Sequence, residues 1–195
     1  SWVNPNPGLM IFGGIGGFIM ALITIFKKTW APYTVSGYAL LKGLALGGIS
    51  RFYEVQYPGI VSQAVFLTFG ILAALLLAYK SKLIKPTENF KLGLMAAMGG
   101  IFLVYLISFI MSFFGSGLSI LSPNNSSMLS IGLSLFIVVI ASLNLVLDFD
   151  FIEEGAEKGA PKYMEWYGAF GLLVTLIWLY LEILRLLAKL QSRRN

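Results

Sequence analysis

Long apolar stretches alternate with short polar segments along the whole chain. Each stretch is close to the roughly 20 residues that an α-helix needs to cross the hydrocarbon core of a bilayer. The segments between them contain the Pro, Gly, Asn and Lys residues that typically mark turns. The pattern predicts six membrane-spanning helices, at residues 8–27, 33–52, 59–79, 91–114, 127–149 and 164–190.

The composition favours a membrane protein over a soluble one. Of the 195 residues, 57% are hydrophobic and only 12% are charged, whereas soluble domains carry about 25% charged residues. We therefore predict an all-α fold, a polytopic membrane helical bundle in which residues 1–195 form a single integral-membrane domain in a lipid bilayer. The net charge of +5 fits basic residues that orient membrane helices and gives no indication of nucleic-acid binding.

Two missing residue types narrow the possible chemistry. The chain contains no Cys and no His, which excludes disulfides, thiolate metal sites and Ser–His nucleophile pairs. It also lacks a Gly-rich phosphate-binding loop of the P-loop type. We predict that the protein is not an enzyme, that it has no cofactor, and that any dependence on pH comes from carboxylates.

Lysines in the connecting segments predict an orientation in the membrane. They collect in the first, third and fifth connections, and basic loops of this kind stay in the cytoplasm. The end of the fifth helix, with Asp150, Glu153 and Glu154, would then lie at the cytoplasmic surface. For these three acids, an ordinary helix end in water is the favoured interpretation.

Ionisable residues inside the apolar stretches are the candidate functional residues, because each costs about 2.5–3.5 kcal/mol at the centre of a membrane helix. These residues are Lys42, Arg51, Asp148, Glu182 and Arg185. Glu182 lies well inside its apolar run. It is either a titratable carboxylate in the bundle interior or half of a local ion pair with Arg185, three positions further on.

The other candidates differ in how much they need a partner. Asp148 lies at the end of a predicted helix, where the helix dipole disfavours an acid, yet apolar residues follow it. We therefore expect it to have a partner or a role. Lys42 lies mid-helix, and we expect it to pair with Asp148 or Glu182. Arg51 is expected at the membrane interface.

Glycines spaced by four predict close helix packing. Gly13 and Gly17 form one such pair, and Gly43 and Gly47 form another. Small residues at this spacing let helix backbones approach each other in lipid. Packing inside one bundle is the favoured interpretation over dimerisation.

Three short motifs, taken in order, resemble those of the Bax inhibitor-1 family, in particular its bacterial YccA/YetJ-like members. The segment GLALGG at 43–48 is similar to a Gly-x-x-Leu-Gly pattern in the third family helix. The segment LDFDFI at 147–152 is similar to a Tyr-Asp-x-x-x-Ile pattern in the sixth. The segment YLEILRLL at 180–187 is similar to the Tyr-Leu-Asp context of the last helix, with Glu182 in place of Asp.

The resemblance covers nearly the whole chain and carries expectations about fold and location. It implies a seven-helix family fold, of which six helices are visible here. The first family helix would then precede Ser1. The resemblance also implies an integral membrane protein of the bacterial inner (plasma) membrane.

The resemblance further implies a pH-sensitive calcium leak. In this family, acidic residues at the end of the sixth helix and within the seventh form a hydrogen-bonded dyad that controls the pore. Carried over, the pH-sensing and ion-gating residues are Asp148 and Glu182, which would also hold permeant calcium ions transiently. Asp150 is the alternative to Asp148, and Lys42, Arg51 and Arg185 are supporting candidates.

Two other functions stay open. A proton-coupled cation antiporter would use the same carboxylates, with Lys42 as a charge partner. A non-conducting regulator would instead bind membrane-protein partners, such as a protease or a cell-death factor, through its glycine faces and cytoplasmic acids.

Overall fold

Six long helices make up most of the chain in the computed structural model, which describes residues 7–115, 118–122, 125 and 127–194. The helices are α1 (Pro7–Phe26), α2 (Ala31–Gln56), α3 (Ile60–Lys80), α4 (Glu88–Phe113), α5 (Met128–Glu157) and α6 (Tyr163–Arg194). Short 3-10 turns at Lys28–Trp30 and Ser119–Leu121 lie in the first and fourth connections. The described residues form no strand. The predicted all-α class and all six predicted helices are confirmed.

Five of the six helices are long and apolar enough to cross a membrane by length and composition: α1, α3, α4, α5 and α6. Much of their surface consists of exposed Leu, Ile and Phe side chains, as expected of helices that face lipid. The 26-residue helix α2 is not among the five. It carries Lys42, Arg51 and Glu54 along its length. Its predicted membrane crossing therefore stays a prediction.

Helix α5 extends further than the sequence suggested. The apolar run predicted an end at residue 149, but the helix continues to Glu157. Glu153 and Glu154 are exposed on this extension, where Glu154 forms an ion pair with Lys158 one turn on. Such i,i+4 pairs support a helix in water. The predicted end of α5 at residue 149 was wrong, because the helix continues beyond its apolar stretch.

The described residues group into two compact units. The first unit comprises residues 7–61 with 148–174, and the second comprises residues 62–147 with 175–194. Helices α5 and α6 therefore contribute to both units. The single domain predicted for residues 1–195 stays a prediction.

Glycines bring α1 and α2 together in the first unit. A Cβ atom at Gly13 would lie 2.5 Å from the backbone oxygen of Leu41, and one at Gly17 would lie 3.0 Å from the Lys42 side chain. The predicted packing role of these two glycines is confirmed. The predicted role of Gly43 is wrong, because a Cβ there would meet no described heavy atom within 4 Å. In α2 it is instead Gly48 that lies against α1, packed under Met10.

Apolar side chains of α4 and α5 form a core in the second unit. The buried members are Leu94, Ile101, Ile137 and Ile140. Trp178 of α6 packs against this cluster. This core fixes the relative position of α4, α5 and the second half of α6, which carries Glu182.

Candidate functional site

Glu182 is the centre of a buried polar cluster in the second unit. Glu182 is 2% exposed. The hydroxyl of Tyr105, from α4, donates to Glu182 Oε1 at 2.5 Å. Arg185 Nη1, one turn further along α6, donates to Oε1 at 3.0 Å and to Oε2 at 3.1 Å. The carboxylate is therefore held by two donors from two helices.

The three side chains of this cluster form a closed triangle. Arg185 Nη1 also donates to the Tyr105 hydroxyl at 2.6 Å, so that hydroxyl both accepts and donates. The guanidinium carbon of Arg185 lies 5.4 Å from the centre of the Tyr105 ring. The local pair with Arg185 that the spacing allowed is thus formed. Because both partners of Glu182 are donors, the arrangement suits an ionised carboxylate.

A second buried polar group lies two turns further along α6. Lys189 is 0% exposed. Its ammonium nitrogen donates to Ser134 Oγ at 2.8 Å and to the backbone oxygens of Ile120 and Ser130 at 3.0 and 3.3 Å. Three acceptors match the three donors of a lysine ammonium group. All three acceptors are uncharged.

Tyr105 and Lys189 were not singled out from the sequence. Tyr105 is 77 positions from Glu182, and its apolar neighbourhood in α4 resembles that of any interfacial tyrosine. Lys189 did have a signal, because residues 182, 185 and 189 share one helix face. The basic end of the chain concealed it, since basic residues there are expected for a helix terminus.

Helices α5 and α6 are also joined by a polar contact between side chains. Asn144 Nδ2 donates to Thr175 Oγ1 at 2.9 Å. Both residues belong to the second unit. Interhelical hydrogen bonds of this kind contribute to helix association in membranes.

Asp148 lies in the first unit, where α5 passes close to α6. A Cβ atom at Gly171 would lie 3.4 Å from Asp148 Oδ1, and one at Gly168 would lie 2.9 Å from Ile152. Small residues on α6 thus make room for the α5 side chains. The Asp148 residue is half-buried, and its Oδ2 atom is shielded from solvent.

The remaining candidates also belong to the first unit. The aliphatic part of Lys42 packs on Gly17, and its ammonium nitrogen lies 5.9 Å from the centre of the Tyr38 ring. Lys42, Arg51 and Asp150 are half-buried. A carboxylate partner for Lys42 and the alternative role of Asp150 stay predictions.

Glu54, which lies near Arg51, has a local structural role. Its carboxylate accepts from the backbone N–H groups of Gly59 at 2.7 Å and Val61 at 3.1 Å. A carboxylate at the start of α3 stabilises that helix by complementing its dipole.

The described residues bring two of the candidate site residues into direct contact, Glu182 and Arg185. They include no group of three or more acidic side chains placed to hold a metal ion. The cluster offers one carboxylate that is already paired with a cationic side chain, and it has no nucleophile with an adjacent base. The proposed pairing of Asp148 with Glu182 stays a prediction.

Comparisons with known proteins give one match, to a family model. No curated protein and no solved structure matches the chain significantly. A model of the family described as Bax inhibitor 1 like matches residues 1–192, nearly the whole chain. Together with the apolar helices, this match identifies an integral membrane protein, and it confirms the family indicated by the three motifs. The chain belongs to the Bax inhibitor 1-like family.

Proposed function

We propose that the protein is a pH-sensitive calcium leak in which Asp148 and Glu182 control ion passage. The observation that carries the proposal is the burial of Glu182, 2% exposed, within a helix long and apolar enough to span the membrane. An acidic side chain there is costly, and such residues typically belong to ion or proton pathways. Tyr105 and Arg185 hold this carboxylate in a fixed position.

The two carboxylates have different tasks in this proposal. Glu182 is the fixed member, because Tyr105 and Arg185 both donate to its carboxylate. Asp148 is half-buried on α5, with its Oδ2 atom shielded from solvent. Asp148 is therefore the residue that we propose to exchange a proton. At low pH it is neutral, and at higher pH it becomes negative and attracts cations.

Ion binding in this pathway is transient. Calcium takes 6–8 oxygen ligands in a stable site, and two carboxylates supply only part of that number. A calcium ion passing Asp148 or Glu182 would keep water molecules as its other ligands. A weak site of this kind suits a leak better than storage of calcium. The proposal also places the protein in the bacterial inner membrane.

The proposal is tested by calcium flux into liposomes that contain the purified full chain. The flux is expected to rise with pH in the wild type. Asp148→Asn is expected to abolish that rise and Glu182→Gln to lower calcium flux at every pH, whereas the exposed Glu153→Gln, a matched loss of one acid from α5, leaves both properties intact. Calcium flux that still rises with pH in Asp148→Asn, or that keeps its wild-type size in Glu182→Gln, would refute the proposal.

The same preparation distinguishes a leak from the antiporter alternative. A leak increases with the calcium gradient and moves no counter-ion in fixed ratio. Flux that saturates with calcium and drives protons in the opposite direction would instead establish a proton-coupled antiporter. Liposomes that show no calcium flux at any pH would contradict both the leak and the antiporter.

A further inference from the structure

Lys189 places an uncompensated positive charge inside the second unit. Its ammonium group is fully buried and bound by three uncharged oxygens. Two other ionisable side chains near it on α6, Glu182 and Arg185, pair with each other, and the exposed Arg193 one turn further on adds only positive charge. The three side chains together therefore carry a net charge of one positive unit.

This charge lies close enough to Glu182 to influence an ion there. Lys189 follows Glu182 by seven positions on the same helix. At 1.5 Å per residue, seven positions correspond to two turns and about 10 Å along the axis, on the same face. In a protein interior with an effective dielectric constant of about 20, two unit charges at this distance repel each other enough to lower occupancy by roughly tenfold.

We propose that Lys189 is a specificity-determining residue: its charge lowers the occupancy of Glu182 by divalent cations more strongly than by monovalent ones. The inference rests on the proposed leak function and deepens it. Because electrostatic energy is proportional to the charge of the ion, the occupancy factor for a divalent ion is the square of that for a monovalent ion. A roughly tenfold effect on sodium thus becomes roughly a hundredfold effect on calcium. Lys189 keeps the calcium leak slow.

A purely structural role for Lys189 makes a different prediction. The side chain ties α6 to Ser130 and Ser134 of α5 and to Ile120 in the short 3-10 turn before it. If these hydrogen bonds were its whole contribution, their loss would loosen the unit. A loosened pathway would let sodium and calcium through more easily by similar factors, with no squared relation between them.

The test compares sodium and calcium flux in liposomes that contain the full chain. Lys189→Met and Lys189→Gln both remove the charge, and the Gln variant retains a hydrogen-bond donor if the Met variant does not fold. Lys189→Arg retains the charge. The matched control is Lys80→Met, which removes one charge from an exposed position of the same unit.

The expected result is a gain in sodium flux in the Met or Gln variant, with a calcium gain close to its square. Lys189→Arg and Lys80→Met are expected to stay within about twofold of the wild type for both ions. Equal gains for sodium and calcium, or no gain in a conducting protein, would overturn the inference and leave the calcium leak standing. A wild type and variants that conduct neither ion would overturn both.

Discussion

The Tyr105 hydroxyl and the Glu182 carboxylate meet across α4 and α6 at 2.5 Å. They are 77 positions apart in the chain, and the apolar packing of α4, α5 and Trp178 brings them together. A carboxylate in an apolar interior requires donors to replace the water it has lost. Tyr105 is the donor from outside α6, so this contact connects the candidate site to the packing of the second unit.

Removing the Tyr105 hydroxyl is expected to weaken the fold. Tyr105→Phe deletes a donor to Glu182 and an acceptor for Arg185 while keeping the ring in place. Hydrogen bonds to charged groups contribute about 1.5–3 kcal/mol each, so we expect a loss of roughly 2 kcal/mol. Thermal unfolding in detergent measures it. Tyr33→Phe, at a residue 83% exposed, is the control and is expected to be neutral.

Removing Arg185 is expected to be more costly when Glu182 stays charged. Arg185→Met leaves the buried carboxylate without its cation. Breaking a buried pair on one side costs about 3–5 kcal/mol. We expect a loss near 3 kcal/mol, at the lower end of that range, because the Arg185 side chain is 25% exposed.

A double-mutant cycle isolates this pair from the rest of the cluster. Glu182→Gln combined with Arg185→Met removes both charges, and the double variant is expected to be more stable than Arg185→Met alone. Unfolding free energies of the four proteins give the coupling between the two residues. A coupling of zero would contradict the importance of the ion pair.

The close approach of α1 and α2 gives a prediction with a built-in control. Gly13→Ala would place a Cβ 2.5 Å from the Leu41 backbone oxygen, so the helices must separate. Overpacking of this kind costs about 1–3 kcal/mol. Gly14→Ala, with no described heavy atom within 4 Å of the new Cβ, is expected to leave stability unchanged or raise it by up to about 1 kcal/mol. Equal thermal stability of the two variants would contradict this packing.

The helices could be predicted from the sequence because the bilayer demands long uninterrupted apolar runs. All six were found, and the largest error was the end of α5, which continues to Glu157 beyond its apolar stretch. Charged residues in water interrupt the apolar pattern, but the helix continues through them. Hydrophobicity therefore locates the membrane boundary better than it locates the helix boundary.

The site could be predicted only where its residues are close in the chain. Glu182 was recognisable as an isolated acid in an apolar run, and Arg185 followed from its spacing of three. Tyr105 could not be found, since nothing in α4 indicates which of its side chains faces α6. Lys189 shares the face of Glu182 but was indistinguishable from an ordinary basic helix end until its three buried acceptors were known.

Proton loss at Asp148 as the trigger for calcium passage is tested most directly by following both events in one sample. Infrared titration of the protonated carboxyl band in proteoliposomes reports the proton, and calcium flux on the same preparation reports the leak. We expect an Asp148-dependent band, missing in Asp148→Asn, that disappears over the pH range in which the flux rises. Calcium flux that rises with pH while no such band exists, or while it titrates in a different range, would contradict gating by this residue.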